Sequence, residues 1–162
     1  MPPGLRNTTN RLVVSSSMVD LAGVVGYRFP GGAYHLPPYV AWLWDDAVGA
    51  APNSDAAHPG IAYMIALLGG GASIQDIMDL LGTSASAGVQ FGEVEFTFES
   101  VTRPGTTYHV EGEVLDVERK HGRRLGAFDV ATFVHRLRVD PAGPVVASIT
   151  HTWVIPRRAE AE

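Results

Sequence analysis

The sequence predicts an α+β fold in which a long, curved antiparallel sheet wraps around one buried helix. Two observations predict it. Residues 61–68 are apolar nearly all round, as in a helix surrounded by protein. From Val89 onward, four segments alternate between apolar and polar residues, and several exceed the usual strand length, which is typical of strongly curved sheets. With 162 residues and no visible linker or repeat, we expect a single domain spanning 1–162.

Three helices are predicted in the first half of the chain. The stretch 37–49 begins with prolines, which the first turn of a helix tolerates, and it ends at a glycine. "HPGIAYMIALLGGG" (58–71) holds the buried helix, and "SIQDIMDLLG" (73–82) holds a third helix with Ser73 as its predicted N-cap. A short strand near 24–29 is expected to pair with the sheet.

The strands are separated by clear turn signals. The parity of the apolar residues changes at Gly92, which predicts a bulge in the first long strand. "TRPGTT" (102–107) predicts a turn, because proline presets φ and glycine accepts a positive φ. The later strands are predicted at about 107–117, 125–139 and 145–155, with "KHGRR" and "DPAGP" between them.

Composition excludes several classes of function. The net charge of −5 and the scattered Lys and Arg residues argue against a nucleic-acid partner. The absence of cysteine excludes disulfides and thiolate chemistry, and the histidines lack a spacing that suggests a metal site. The apolar stretches are too short and interrupted for a membrane span, so we expect a soluble, cytoplasmic protein. Residues 1–10 and 157–162 are expected to be loose ends.

Four stretches together resemble a known family. They are "YVAWLWDDAVGAAPN" leading into "HPGIAYMIALL", then "FGEVEFTFESVTRPGTTYHV", and the final "GPVVASITHTWVIPR". In these the chain resembles the hot-dog fold, specifically the MaoC-like and FAS1-like acyl dehydratases and enoyl-CoA hydratases, over about 23–156. The resemblance implies a hydratase or dehydratase acting on an acyl thioester. It also implies no cofactor beyond the coenzyme A or acyl carrier protein that carries the substrate, and a homodimer or a heterodimer with a second MaoC-like chain.

The residues expected at the family's catalytic positions differ in this chain. Hydratases of this branch use an Asp and a His five residues apart to hold water and move its proton. Aligning the chain through 47–49 puts Ala50 where the Asp belongs and Asp55 where the His belongs. The expected pair is therefore absent, because alanine cannot move a proton.

The remaining candidates lie close to the same place. Asp55 and His58 are the catalytic candidates, in reversed order, since a carboxylate and an imidazole within one turn can orient each other. The alternative is that Asp55 is a turn residue and that His58 is bonded to the backbone beside the helix start. Four residues are candidates for substrate binding: Gly60 and Ile61 through backbone N–H groups, and Tyr63 and Met64 through the cavity wall.

Three functions stay open from the sequence. The first is a hydratase or dehydratase, or one subunit of such an enzyme. The second is a non-catalytic hot-dog subunit that binds acyl thioester or stabilises an active MaoC-like partner. The third is a hot-dog thioesterase, because that fold also uses a carboxylate near its buried helix.

Overall fold

The computed structural model describes residues 21–124 and 126–157 as one sheet with helices on one face. The predicted loose end 1–10 lies outside the described residues, as does 158–162. The elements, in chain order, are α1 (Leu21–Val24), β1 (Gly32–His35), α2 (Pro38–Val48), α3 (Ile61–Gly69), α4 (Ile74–Leu80), a 3₁₀ turn (Ala85–Ala87), β2 (Gln90–Phe98), β3 (Thr107–Gly122), β4 (Gly126–Arg138) and β5 (Val145–Pro156).

The five strands form an antiparallel sheet in the order β1-β3-β4-β5-β2. The predicted α+β class with a long antiparallel sheet is confirmed. The register between β2 and β5 shifts between Phe91 and Glu93, so the bulge predicted at Gly92 is confirmed as well. Strand β3 continues to Gly122, five residues beyond its predicted end at 117, because the polar hairpin tip pairs as strand nearly to its turn.

Helix α3 lies against the middle of the sheet, as the apolar run predicted. Ile61, Ala62, Ile65 and Ala66 are fully buried and pack with inward residues of β3, β4 and β5. Leu68 is 60% exposed, so the helix is buried on most of its surface and not all round. The core around α3 therefore lies between one face of this helix and the sheet.

The short strand predicted near 24–29 is wrong in its position. Leu21–Val24 form helix α1, and the strand that pairs with β3 at this edge is Gly32–His35. Gly26 adopts a φ of 82°, which an extended strand cannot include. The expected pairing with the sheet is present, because the segment 26–29 bonds to the β3 backbone around an isolated bridge between Arg28 and Glu113, but it forms no regular strand. The apolar pattern there arises from packing of Val24 and Phe29 into the core.

Helix α4 is fixed at both ends by polar contacts. The Ser73 hydroxyl accepts the Asp76 N–H while the Asp76 carboxylate accepts the Ser73 N–H, so the predicted N-cap is confirmed as a reciprocal capping box. At the other end, the Arg157 guanidinium donates to the carbonyls of Leu81 and Gly82, both at 2.6 Å. Arg157, the first residue of the predicted loose C-terminal end, is therefore held against α4.

Arg157 also completes an ion cluster around the buried carboxylate of Asp129. The Asp129 carboxylate is buried and accepts hydrogen bonds from Arg119 and Arg157, each at 2.7 Å. Burial alone would raise the pKa of Asp129, but the two guanidinium groups outweigh burial and hold that pKa below its usual value. The cluster ties β3, β4 and the end of β5 to the C-terminus of α4.

Within the described part of the chain, no single helix has the length and apolar character needed to cross a membrane, and only α3 and α4 together, bent by 66°, meet both criteria.

Candidate active site

The loop between α2 and α3 carries the predicted catalytic residues. Helix α2 ends at Val48 and is capped by Gly49, whose φ of 68° is the left-handed conformation that glycine adopts without strain. The Asn53 side-chain oxygen then accepts the N–H groups of Asp55 and Ala56, at 2.8 and 3.2 Å. This Asx turn fixes the backbone around Asp55 and leaves its side chain exposed.

The loop is fastened to the turn between β2 and β3. The Ala57 N–H donates to the Thr102 carbonyl at 2.8 Å, and the Arg103 guanidinium donates to the Asp55 carbonyl at 2.8 Å. Tyr108 holds this turn from the sheet, because its buried hydroxyl accepts the Arg103 N–H at 2.6 Å. The "TRPG" turn predicted from the sequence therefore positions the site loop through Arg103 and Tyr108.

His58 lies directly before α3 with one ring nitrogen fully occupied. Its Nδ1 accepts the Trp44 indole N–H at 3.2 Å and the Gly60 backbone N–H at 3.1 Å. An imidazole nitrogen that accepts two N–H groups carries no proton, so in the neutral ring the proton is on Nε2. The half-buried His58 ring is thus set up to donate a hydrogen bond from Nε2.

The predicted catalytic residues, Asp55 and His58, lie close in the chain but are not hydrogen-bonded to each other. Among the hydrogen bonds of the described residues, none links the Asp55 carboxylate with the His58 ring. The two predicted backbone donors are also engaged. The Gly60 N–H donates to Nδ1 of His58, and the Ile61 N–H donates to the backbone carbonyl of His58 at 3.0 Å. The Gly60 N–H can reach a ligand only if its bond to the ring opens.

Tyr63 and Met64 lie in the next turn of α3, half-buried against the larger core cluster. The Tyr63 ring contacts the His151 ring with centroids 5.3 Å apart. Met64 packs against the same cluster, whose members come mainly from α3, β3, β4 and β5, with Ala41 of α2 among them. Both residues therefore lie between the site loop and the core.

A second pair of histidines lies inside the core. His135 of β4 and His151 of β5 are each 1% exposed, and His135 Nδ1 is 3.2 Å from His151 Nε2. Burial lowers the pKa of His135 to about 4. Burial and the neighbouring His135 lower the pKa of His151 to about 3. Phe133 stacks on the His151 ring with centroids 4.7 Å apart, and Phe29 stacks on the His135 ring at 5.4 Å.

Sequence reasoning missed three contributors to this region. Trp44 reaches His58 across 14 residues, a contact that no local pattern signals, and the Tyr108 hydroxyl accepts the N–H of Arg103, five residues before it. The histidine pair did leave a signal, because His135 and His151 occupy the inward parity of their strands, in line with buried Leu137 and Trp153. An inward histidine on each of two strands of a sheet would have predicted a polar contact in the core.

No cluster of three or more His, Asp or Glu side chains that could hold a metal ion is found within residues 21–124 and 126–157.

Comparison with known proteins identifies the fold. No family model matches the chain, and no curated protein matches it significantly in sequence. Solved structures do match. A chain of the ChsH1-ChsH2 complex from Mycobacterium tuberculosis is 18% identical over 83% of this chain and 85% of that one, with a TM-score of 0.62. This chain has the hot-dog fold.

Two further structures show how widely the fold is shared. The HadBC complex from Mycobacterium tuberculosis, a 3R-hydroxyacyl-ACP dehydratase, has a chain 12% identical to this one. The match covers 81% of this chain and 96% of that one, with a TM-score of 0.60. The fluoroacetyl-CoA thioesterase FlK is 20% identical over 82% and 87% of the two chains, with a TM-score of 0.53. Hot-dog neighbours thus include both a dehydratase and a thioesterase.

Proposed function

We propose that this chain is a MaoC-like hydratase or dehydratase, or one subunit of such an enzyme, that adds water to a 2-enoyl thioester or removes it. The observation that carries the proposal is His58 at the start of the central helix, with Nδ1 held by Trp44 and Gly60 and with Nε2 left to donate. The fold shared with a hydroxyacyl-ACP dehydratase supports the same class of substrate.

The proposed chemistry divides the work between two side chains. In hydration, the Asp55 carboxylate takes a proton from water as its oxygen bonds to the β-carbon, and the electrons of the double bond move toward the thioester carbonyl. The Nε2–H of His58 donates to that carbonyl oxygen as it becomes negative. The proton then passes from Asp55 to the α-carbon, which restores the carboxylate and leaves a 3-hydroxyacyl thioester. Dehydration follows the same steps in reverse.

The binding residues follow from their places along α3. Gly60 and Ile61 stand at the positive end of the helix, which favours a developing negative charge on the carbonyl oxygen. In the proposed complex, the carbonyl competes with His58 Nδ1 for the Gly60 N–H. Tyr63 and Met64, one turn further, form the wall against which the acyl group packs.

The carrier and the partner complete the proposal. We infer that coenzyme A or an acyl carrier protein presents the acyl group, with no additional cofactor, and that the protein works in the cytoplasm. The functional unit is a homodimer or a heterodimer with a second MaoC-like chain. Two structures with the same fold support a hot-dog partner, because both come from complexes named for two components.

A direct assay tests the function. The purified chain is incubated with a panel of 2-enoyl-CoA thioesters while loss of the enoyl absorbance is followed, and we expect turnover that Asp55→Asn abolishes. Asp46→Asn, an exposed carboxylate at the end of α2, is the matched control and should keep full activity. Turnover equal in Asp55→Asn and the control would remove Asp55 from the mechanism.

The same assay separates the two alternatives. Release of free thiol, followed with a thiol reagent, would indicate a thioesterase, the activity named for FlK, which shares this fold, because hydration leaves the thioester bond intact. Binding of the thioester with neither reaction, together with activation of an added MaoC-like chain, would indicate the non-catalytic subunit. Ala50 favours that last alternative locally, since it stands where the family has its acid.

A further inference from the structure

Two buried polar side chains beside the site loop take no part in the chemistry proposed above. Asp45, on α2, is 3% exposed, and Thr102, in the connection between β2 and β3, is 1% exposed. Each lies in an exposed stretch of chain, because residues 46–49 directly after Asp45 are exposed and so are both neighbours of Thr102. The two side chains therefore point inward from segments that otherwise face solvent.

The site loop connects these two residues through backbone hydrogen bonds. Near its start, the Ala50 N–H donates to the Asp45 carbonyl at 2.8 Å. Near its end, the Ala57 N–H donates to the Thr102 carbonyl, also at 2.8 Å. Leu36, just before α2, exchanges backbone hydrogen bonds with the turn that follows Thr102. Helix α2, the site loop and this turn are thus bonded to one another in a closed ring, and Asp45 and Thr102 are two of its anchor points.

Neither side chain finds a polar partner in the protein around it. The Thr102 hydroxyl is fully enclosed and has no hydrogen-bond partner among the described residues. The Asp45 carboxylate takes part in none of the side-chain hydrogen bonds or ion pairs formed within the described ranges. Asp45 also lies in the last turn of α2, where the negative end of the helix dipole disfavours an acid. Both groups are therefore buried at a cost in stability.

Asp45 lies next to the position of the missing acid. Ala50 stands where the resemblance places the catalytic Asp, and its N–H is bonded to Asp45. Trp44, the residue before Asp45 on the same helix, holds Nδ1 of His58. Helix α2 thus contributes a second group to the site besides the indole that orients His58.

We infer that Asp45 and Thr102 bind the hydroxyl group of a 3-hydroxyacyl thioester and thereby set a preference for hydroxylated over unsubstituted acyl groups. A hydroxyl offers one donor and two acceptor sites, so it can donate to the Asp45 carboxylate and accept from the Thr102 hydroxyl. Both buried groups then have a partner, as buried polar groups in folded proteins nearly always do. The inference rests on the proposed function for the thioester, and it adds two specificity-determining residues to it.

The binding of two thioesters that differ by one hydroxyl tests this assignment. Isothermal titration calorimetry compares each enantiomer of 3-hydroxybutyryl-CoA with butyryl-CoA. We expect the wild type to bind one hydroxylated enantiomer about tenfold more tightly than butyryl-CoA, as one hydrogen bond to a charged group provides. Asp45→Asn leaves a neutral acceptor and should lower this ratio to about threefold. Thr102→Val, which keeps the shape but removes the hydroxyl, should lower it as well, with the affinity for butyryl-CoA nearly unchanged.

Matched variants separate binding from a structural role. Thr102→Ser restores the hydroxyl and should keep the wild-type ratio, as should Asp46→Asn, which removes the exposed neighbouring charge. The midpoints of thermal unfolding of Asp45→Asn and Thr102→Val should equal or exceed that of the wild type, because neither change breaks a hydrogen bond between described residues. Residues kept only for structure would lower the midpoint and leave the ratio unchanged.

Each outcome decides for or against the inference. A wild type that binds the thioesters equally or not at all would overturn it, as would a ratio that Thr102→Val leaves unchanged. Should Asp45→Asn fail to fold, Thr102→Val and Thr102→Ser carry the test alone. Loss of enoyl absorbance judges the proposed reaction separately. Turnover without a hydroxyl preference would keep the reaction and remove this inference, and a hydroxyl preference without turnover would do the reverse.

Discussion

Two kinds of histidine lie near helix α3, and they differ in their hydrogen bonds and in their burial. His58, at the start of the helix, has one nitrogen fixed by two donors and the other left to donate, in a half-buried position. His135 and His151, between the helix and the sheet, bond to each other and are shut away from water. Imidazole chemistry alone thus does not mark a catalytic site. His58 differs from the buried pair because its Nδ1 is fixed by two hydrogen bonds while its Nε2 is left to donate to a ligand.

The largest expected effect is a loss of stability at low pH caused by the buried pair of His135 and His151. Both imidazoles stay neutral in the folded state, with pKa values of about 4 and about 3, whereas in the unfolded chain they take up protons near 6.5. Because both pKa values are lower in the folded state than in the unfolded chain, the two rings contribute fully to stability above pH 6.5. Their contribution is lost as the pH falls toward the folded pKa values. The pair should lower the free energy of unfolding by about 4 kcal/mol between pH 7.5 and 5.

Urea unfolding at a series of pH values measures this slope. The double substitution His135→Phe with His151→Phe removes both titrating groups and should flatten the curve over the same range. A wild-type slope that the double variant leaves unchanged would show that other groups control acid stability.

The next effect is on catalysis at His58. His58→Ala removes the Nε2 donor, and loss of one donor to a developing oxyanion costs roughly 10²- to 10³-fold in kcat. His58→Gln supplies an amide N–H at similar reach and should recover part of that loss. Enoyl thioester hydration measures both, with His121→Gln in the exposed hairpin tip as the control. Equal rates for His58→Ala and the control would remove His58 from the site.

A smaller effect is expected when one member of the buried pair is replaced. His151→Phe leaves Nδ1 of His135 without its partner, and an unsatisfied buried polar group costs about 1–3 kcal/mol. The double phenylalanine variant should be more stable than this single variant at pH 7.5, because no polar group is left unpaired. Thermal unfolding of the two proteins checks the order, and a double variant that is the less stable would contradict it.

The smallest effect tests how His58 is held. Trp44→Phe keeps the packing of an aromatic ring but removes one of the two donors to Nδ1, a hydrogen bond worth about 1 kcal/mol. We expect kcat to fall by up to about tenfold, with KM nearly unchanged. Trp42→Phe, two residues away and 52% exposed, is the matched control. Identical kinetics for the two variants would show that Trp44 only fills space.

Sequence patterns predicted the fold well where periodicity was strong. Helices α2, α3 and α4, the four long strands and the bulge at Gly92 all follow from spacing and turn chemistry. The first strand was misplaced because Val24 and Phe29 are buried without belonging to a strand. A short apolar segment reveals its burial more readily than its conformation.

The candidate site was predictable only in part. The loop, its histidine and the following helix are contiguous in the chain, so the sequence could point to them. Trp44 reaches His58 across 14 residues, and Arg103 reaches Asp55 across 48, through contacts that exist only once the sheet has formed. The sequence could therefore suggest His58 as a candidate but could not show which of its nitrogens is free to act.

One measurement tests the contrast between the histidines most directly. The protein is labelled with ¹⁵N in its histidine rings and titrated with a saturated acyl-CoA, and the ring nitrogen signals are followed by NMR. We expect Nε2 of His58 to be protonated at the start and to shift as thioester binds, while the signals of His135 and His151 stay in place. A His58 signal that does not respond, or that shows its proton on Nδ1, would contradict the account.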